Sequence, residues 1–360
     1  MHSVDVYYYV FIYERVCFMA SAAQKRIKAI SYAKYGYFFI LPFFIVYFFF
    51  QFWPLINTFI LSFHGNFSHE DEFVGFENYK NLIFGGGRAA RSTHESFLRT
   101  LGNTLILWLG NFIPQIILSL SLAVWFTDAK LKIPGKGFFK VIMYMPNIIT
   151  AASVAVLFLQ LCSQNQNGAV NQMLDKIGII DFDKGEIVNF VRGKWESRGV
   201  VMFVQTWMWF GNTMIMLMSG IMGINPSLFE AANIDGASSG QVFRKITLPL
   251  LSPIMVYTVV TSMIGGLQMF DIPYLYHRGT ETNAHIETIA VFIYDKFHSL
   301  QPNYGYSGAA SVLLFIITLV LGSVTFYLNR DQDAIAKKKQ LKKLAKQAQV
   351  QNKQFGGLGI

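Results

Sequence analysis

Runs of roughly twenty apolar residues alternate along the chain with polar stretches rich in Gly, Asn, Ser and charge. A helix needs about 20 mostly apolar residues to cross about 30 Å of hydrocarbon. Six stretches meet that length: 37–62, 102–126, 141–162, 199–222, 248–270 and 306–329. None carries Asp, Glu, Lys or Arg in its interior; Lys140 and Asp271 lie just beyond two of the ends. The pattern predicts an all-α polytopic membrane protein with six transmembrane helices.

Composition agrees. Apolar residues make up 53% of the chain and charged residues 14%, against about 25% charged in an average soluble domain. So much apolar surface cannot be hidden in a water-soluble core of this size, which excludes an ordinary soluble enzyme as well as a disordered chain. The two cysteines, Cys17 and Cys162, form no C-x-x-C, so neither a disulfide scaffold nor a zinc or iron–sulfur site is expected.

The net charge of +9 raises the question of nucleic acid until the charges are placed. With the N-terminus inside, segments 1–36, 127–140, 223–247 and 330–360 share one side and hold 19 of the 30 Lys and Arg. The same segments hold only 7 of the 21 acidic residues. Lys and Arg collect on the cytoplasmic side of membrane proteins, so both termini are expected there and no nucleic-acid partner is implied. The domain plan is a cytoplasmic N-terminal segment 1–36, a transmembrane domain 37–329 with a cytoplasmic loop 223–247, and a basic tail 330–360. Residues 7–13, YYYVFIY, are too short to span and are flanked by acids rather than by a basic region. Met19 reads as the more conventional start, and no role is assigned to residues 1–18. The tail AIAKKKQLKKLAK, residues 334–346, reads as a topology anchor drawn to anionic lipid.

Enzymatic motifs are absent from the sequence. There is no G-x-x-x-x-G-K-[ST] phosphate loop, no H-E-x-x-H and no G-x-S-x-G. The histidines at 64, 69, 94, 277, 285 and 298 fall in outer loops without metal-ligand spacing and read as loop polarity. No ionisable residue sits within a span, where a proton relay of a secondary carrier would need one. A catalytic role is not expected, and energy for any transport must come from elsewhere.

The most informative segment is the loop between the fourth and fifth spans, NPSLFEAANIDGA from Asn225 to Ala237. Asn225 is a natural N-cap and Pro226 suits the first helical position. Gly236 can take the left-handed turn that ends the helix, after which Ser238 or Ser239 starts a second short helix running into Leu248-Pro249. The string EAANIDGASSGQVFRKITLPLLSP resembles the EAA loop of permease subunits of binding-protein-dependent ABC importers. In that family Glu-Ala-Ala is followed three residues later by Gly, and nine residues after it by Ile-x-Leu-Pro; here Gly236 and Ile246-Thr247-Leu248-Pro249 stand at that spacing. Phe73-Val74-Gly75-Phe76-Glu77-Asn78-Tyr79 is similar to the opening of carbohydrate permeases of the maltose and glycerol-phosphate type. Asn103-Thr104, Met145-Pro146, Gly168-Ala169-Val170-Asn171, Phe270-Asp271-Ile272-Pro273-Tyr274 and Gly305 with Ala309-Ala310 fit the same group. One departure is Arg278-Gly279-Thr280-Glu281, where the family often has Gly-Gly-Pro.

The resemblance implies the type I importer permease fold and a coupling helix that docks on an ATPase, with Glu230, Ala231, Ala232, Asp235, Gly236 and Ala237 at the contact. It also implies a second, similar permease, two ATPase copies holding ATP and magnesium, an extracytoplasmic solute-binding protein, and a sugar or oligosaccharide as cargo. For a neutral cargo the residues offer a polar face without charge. Gln205, Trp209 and Asn212 fall at i, i+4 and i+7 on the fourth span, where amides both donate to and accept from hydroxyls. Gln268 and Asp271 follow at the end of the fifth span, with Tyr274 just beyond, and Asn147 adds an amide from the third. Interhelical hydrogen bonding is the alternative role for each of these, while Trp207 is expected to face lipid or a partner. The competing function is a secondary carrier or channel for a small neutral solute, acting without ATPase partners.

Overall fold

The computed structural model describes residues 33–66, 72–128, 131–163, 165–278 and 283–328. Residues 1–18 and the basic tail lie outside them. The described residues form two units, divided after Ile60. The first unit carries the first span, in which α1 (Ala33–Tyr47) runs through a π-helical turn at Phe48–Phe52 into α2 (Trp53–Leu61).

In the second unit the chain continues through α3 (Glu77–Phe84) and α4 (Arg88–Thr127) to α5 (Lys136–Tyr144), a 3₁₀ turn at Met145–Ile148, α6 (Ala151–Leu161) and α7 (Ala169–Lys176). Then come α8 (Lys194–Met222), α9 (Pro226–Ile234), α10 (Ser239–Val242), a π-helical segment Phe243–Thr247, α11 (Leu248–Leu267), α12 (Asp271–Arg278), α13 (Ile289–His298) and α14 (Tyr304–Leu328). Among the described residues the only β feature is one antiparallel bridge between His64 and Phe73.

Five helical stretches are long and apolar enough to cross a membrane, and a bent pair makes a sixth. The second expected span, 102–126, is the C-terminal part of α4, whose 40 residues extend about 60 Å at 1.5 Å per residue. Its polar first turns therefore stand clear of the hydrocarbon and carry the Arg91–Glu95 pair at 3.1 Å. The third span was expected to be continuous over 141–162; instead α5 and α6 meet at 92°. Pro146 has no N–H for the helical ladder, and Thr150 recaps α6 by accepting a hydrogen bond from the Ser153 N–H. Gly211 of α8 lies against the backbone of Met143 and Tyr144, where any Cβ would collide. The bend sits where α8 comes closest.

α4 and α8 make the most extensive helix pair. Around them are two apolar clusters, one with Leu107, Val154, Val201, Val204, Met208 and Ile272, the other with Leu122, Phe126, Met214, Leu217 and Leu251. A third, with Leu82, Phe97, Phe292 and Ala309-Ala310, joins α3, α4, α13 and α14. Trp207, expected to face outward, packs edge-on against Phe158 with ring centroids 5.9 Å apart.

Several motif residues prove to be fastenings between segments. The buried Asn78 amide donates to the carbonyls of Ser62 (2.9 Å) and His64 (2.7 Å). Asn171, fully buried, donates to the Ser163 and Val188 carbonyls and accepts from the Val188 N–H. Asn103 donates to the carbonyls of Ala284 (2.8 Å) and Glu287 (2.9 Å) and accepts from the Arg198 guanidinium (2.6 Å). Asn283 donates to the Val191 carbonyl and to Ser197 Oγ. Polar groups removed from water need such partners, and here they bolt the 283–288 segment to α4 and α8.

Candidate functional site

A cavity of about 420 Å³ opens between α4, α8 and α11, within the range of small-ligand pockets, about 300–1,000 Å³. α8 lines it with Gln205, Trp209 and Asn212, the face expected from their spacing. Gln268 and Asp271 line it as well. Gln205 is only 8% exposed and Trp209 47%. The polar ends of Gln205, Asn212, Gln268 and Asp271 make no hydrogen bond to any other described residue, so the cavity is what they address.

Two expected residues are elsewhere. Asn147 sits in the bend of the third span and donates to the Met208 carbonyl at 3.4 Å, so it ties the bend to α8 instead of lining the cavity. Tyr274 is outside the lining too, stacked on Phe270 with centroids 4.8 Å apart, because α12 turns it away beyond Pro273.

The sequence reading missed the opposite wall. Trp108, Asn111 and Gln115 of α4 line the cavity, as do Thr258, Thr261 and Ser262 of α11. Trp108, Asn111 and Gln115 fall at i, i+3 and i+7, the same one-face spacing that exposed the α8 set. Their hydrogen bonds hold the wall in shape. Trp108 Nε1 donates to Ser262 Oγ at 3.2 Å and Gln115 to Thr213 Oγ1 at 2.7 Å, while Asn111 donates to the Leu107 carbonyl at 2.8 Å. The Trp108 ring lies so close to Gly266 that no Cβ fits there. Among the described residues no Lys, Arg or His lines the cavity; Asp271 is its one charged group.

A second space of about 730 Å³ lies toward the 223–247 loop, bordered by Ser219, Gly220, Gly223, Leu228, Pro253 and Ile254. Met216 and Tyr257 border both spaces and so stand between the cavity and that groove.

The loop itself has the expected local structure. Asn225 caps α9 by accepting from the Ser227 N–H at 3.1 Å, with Pro226 in the first turn. Gly236 has φ +71; its N–H reaches the Asn233 carbonyl, and the Ala237 N–H reaches that of Ala232, the pair of bonds that closes a helix on a left-handed glycine. Ser238 begins α10 with a reciprocal cap, accepting from the Gln241 N–H while its own N–H donates to Gln241 Oε1. Glu230, Ala231, Asp235 and Gly236 are exposed, whereas Ala237 is half-buried. Ala232 departs from the expected contact set: at 8% exposure it turns into its own chain and helps seat α9. Ile234, 86% exposed, is the apolar residue this surface presents most fully.

The profile described as binding-protein-dependent transport system inner membrane component matches residues 115–334. The chain belongs to this family. It is similar to a lactose transport system permease protein of Rhizobium radiobacter, 27% identical over 315 residues that cover 87% of this chain and all of the relative. An arabinooligosaccharides transport system permease protein of Bacillus subtilis is 26% identical over 312 residues, 86% of this chain and 94% of its own length. Among solved structures, a bacterial ABC transporter involved in the import of the acidic polysaccharide alginate aligns with TM-score 0.71 at 24% identity, over 85% of this chain and 98% of that one. A bacterial alginate ABC transporter in complex with an alginate pentasaccharide-bound periplasmic protein aligns with TM-score 0.70 at 25% identity, over 84% and 96%.

As a permease subunit of an ABC importer, the chain is a multi-pass protein of the bacterial cytoplasmic membrane that works with a solute-binding protein. ATP hydrolysis belongs to a separate subunit in this family, and the permease is not itself an enzyme. Membership sets aside the secondary carrier and the channel.

Proposed function

We propose that this permease carries a neutral oligosaccharide through the membrane, along a path it shares with a second, similar permease. The observation that carries this reading is the cavity itself, where amides and hydroxyls stand beside indole faces and, among the described residues, the one charged group is a carboxylate. Hydroxyl-rich cargo needs paired donors and acceptors, and aromatic faces suit the apolar faces of sugar rings. The names of the lactose and arabinooligosaccharide relatives support the same class. An acidic cargo such as alginate is disfavoured, because Asp271 would repel it and none of the described residues lining the wall is a cation to compensate.

The binding protein releases its sugar on the side of the 163–198 and 283–303 segments. The 223–247 loop and both termini lie in the cytoplasm, where two ATPase copies bind. ATP and magnesium are held by those subunits. Glu230, Ala231, Ile234, Asp235 and Gly236 form the surface on which the ATPase acts, and Met216 and Tyr257 divide the sugar cavity from the cytoplasmic groove.

The test is uptake by the complete transporter in proteoliposomes, with lactose, arabinotriose and an alginate trisaccharide offered in turn. Neutral sugars are expected to enter and the alginate fragment is not. Asn212→Ala and Gln205→Ala each remove about one hydrogen bond, worth on the order of 1 kcal/mol, and should lower kcat/KM about fivefold. Normal uptake by both variants, correctly assembled, would place the sugar elsewhere.

A further inference from the structure

One wall of the cavity continues outward as a chain of rings. Phe270 lines the cavity and stacks on Tyr274 at 4.8 Å between centroids, with both rings against Tyr294 of α13 at 5.2 and 5.0 Å. Tyr294 stacks on His298 at 4.0 Å, nearly parallel at 22°. Phe297 then touches His298 at 5.0 Å and Tyr304, at the start of α14, at 4.9 Å. These residues run from the end of the fifth span, through the connection that follows it, to the start of the sixth, at the end of the bundle opposite the 223–247 loop. Tyr274 and Tyr294 are half-buried, Phe297 and His298 exposed, so the chain runs from the outer surface down to the cavity wall.

Packing alone does not ask for this composition. Apolar contact between α13 and α14 is already supplied by Ile289, Phe292, Ala309 and Ala310. Aromatic belts at membrane interfaces set their rings at the headgroup level, whereas these six face one another in unbroken succession. A ring gives a flat, weakly polar face that binds the C–H face of a sugar without fixing its hydroxyls. Successive rings therefore allow a sugar to move in short steps with no strong hydrogen bond to break.

We propose that Phe270, Tyr274, Tyr294, Phe297, His298 and Tyr304 form a loading track, a second sugar-binding subsite that receives a saccharide unit on the outer side and passes it to the cavity. This rests on the reading of the cargo as an oligosaccharide. It returns Tyr274 to contact with substrate, outside the cavity where sequence spacing had put it.

The test uses the complete transporter in proteoliposomes with its binding protein, and lactose as the probe, or arabinotriose if lactose is not imported. Tyr294→Leu keeps an apolar side chain but removes the ring. It should lower kcat/KM for uptake about three- to tenfold, the loss of one aromatic contact, and Tyr294→Phe should restore it. His298→Ala removes an exposed ring together with its stack on Tyr294; it should act in the same direction at less cost to the buried packing, and serves if Tyr294→Leu fails to assemble. Asn212→Ala is measured alongside. Unchanged uptake in Tyr294→Leu and His298→Ala, with Asn212→Ala impaired, overturns the track and leaves the cavity reading standing. Unchanged uptake in all three overturns both. If the ring variants instead lower ATP hydrolysis stimulated by the unliganded binding protein, the rings dock that protein and the track is refuted.

Discussion

Gly236 offers a perturbation whose cost comes from the backbone alone. Its φ is +71 and a Cβ built there meets nothing within 4 Å, so a substitution brings no collision. What it brings is the left-handed penalty, about 1–2 kcal/mol for an L-residue, smallest for Asn, whose side chain tolerates this region, and largest for a β-branched residue. The two closing bonds, Gly236 N–H to the Asn233 carbonyl and Ala237 N–H to that of Ala232, exist only in that conformation. Gly236→Asn should therefore be mild, Gly236→Ala should reduce the population of the native loop about fivefold, and Gly236→Val about thirtyfold, taking roughly 1 and 2 kcal/mol. Gly240 is the control: it has an ordinary φ and equally open surroundings, so Gly240→Ala should change nothing. The assay is purification of the assembled transporter from membranes, reading ATPase retention and sugar-coupled hydrolysis at equal permease levels. A series graded Asn, Ala, Val supports the backbone argument. Full assembly and coupling in Gly236→Val would show that the loop's shape is not what the ATPase reads, and equal loss in all three would show that the side chain's absence, not φ, is what matters.

Three further outcomes are expected. In a chain freed of Cys17 and Cys162, Leu300→Cys should react with an impermeant thiol reagent from outside and Ser238→Cys only after the membrane is opened; the reverse pattern would invert the topology. Gly211→Val should destabilise the bundle by about 1–3 kcal/mol, since its Cβ meets the Met143–Tyr144 backbone, and thermal melting in detergent should show it beside an unaffected Gly102→Ala, whose surroundings are open. Burial, then the positive charges of Arg198, Lys194 and Arg99, hold the His285 imidazole below its ordinary pKa. The unfolded chain thus takes up a proton that the folded one resists, so stability should be intact above about pH 6.5 and fall as the pH drops below it. His285→Gln should flatten that fall in melting curves recorded between pH 7.5 and 5.

Much of this molecule was legible in its sequence because the membrane imposes a crude rule. A span must be long and apolar, and all six stretches are. The 223–247 loop was legible because capping chemistry is local: Asn225, Pro226, Gly236 and Ser238 do in the structure what their neighbours in sequence imply. The 92° bend of the third span was less so. Pro146 announced an interruption, but the angle depends on Gly211, which lies 65 positions away and admits the bent backbone. The cavity was read from one wall only. On α8 the polar residues interrupt an apolar face and stand out, whereas Asn111, Gln115 and Trp108 look like ordinary members of a long helix until α11 is brought opposite them. Asn147 and Asn103 show the converse: an amide inside a span marks either a ligand contact or an interhelical bond, and only the neighbouring carbonyl decides between them.

The placement of the fifth span joins the two ends of the site mechanically. Residues Ser239–Tyr276 run as one long apolar helical stretch, starting on the reciprocal cap of Ser238 and Gln241 at the loop and reaching the cavity with Tyr257, Thr258 and Thr261. From Ser239 to Tyr257 is about 27 Å of helix, with a π-helical segment at Phe243–Thr247 as its one irregular stretch. Leu251 and Ile254 on the way press against Gly220 of α8, so α11 cannot shift without sliding on the helix that carries Gln205 and Asn212. A displacement applied at α9 and α10 therefore arrives at two places at once: at Tyr257, which stands with Met216 between cavity and groove, and at the amide face that lines the cavity. Movement at the partition and movement of the cavity wall become one. A chain with no nucleotide loop of its own needs that arrangement, because the work done by the ATPase must reach the sugar through a rigid element.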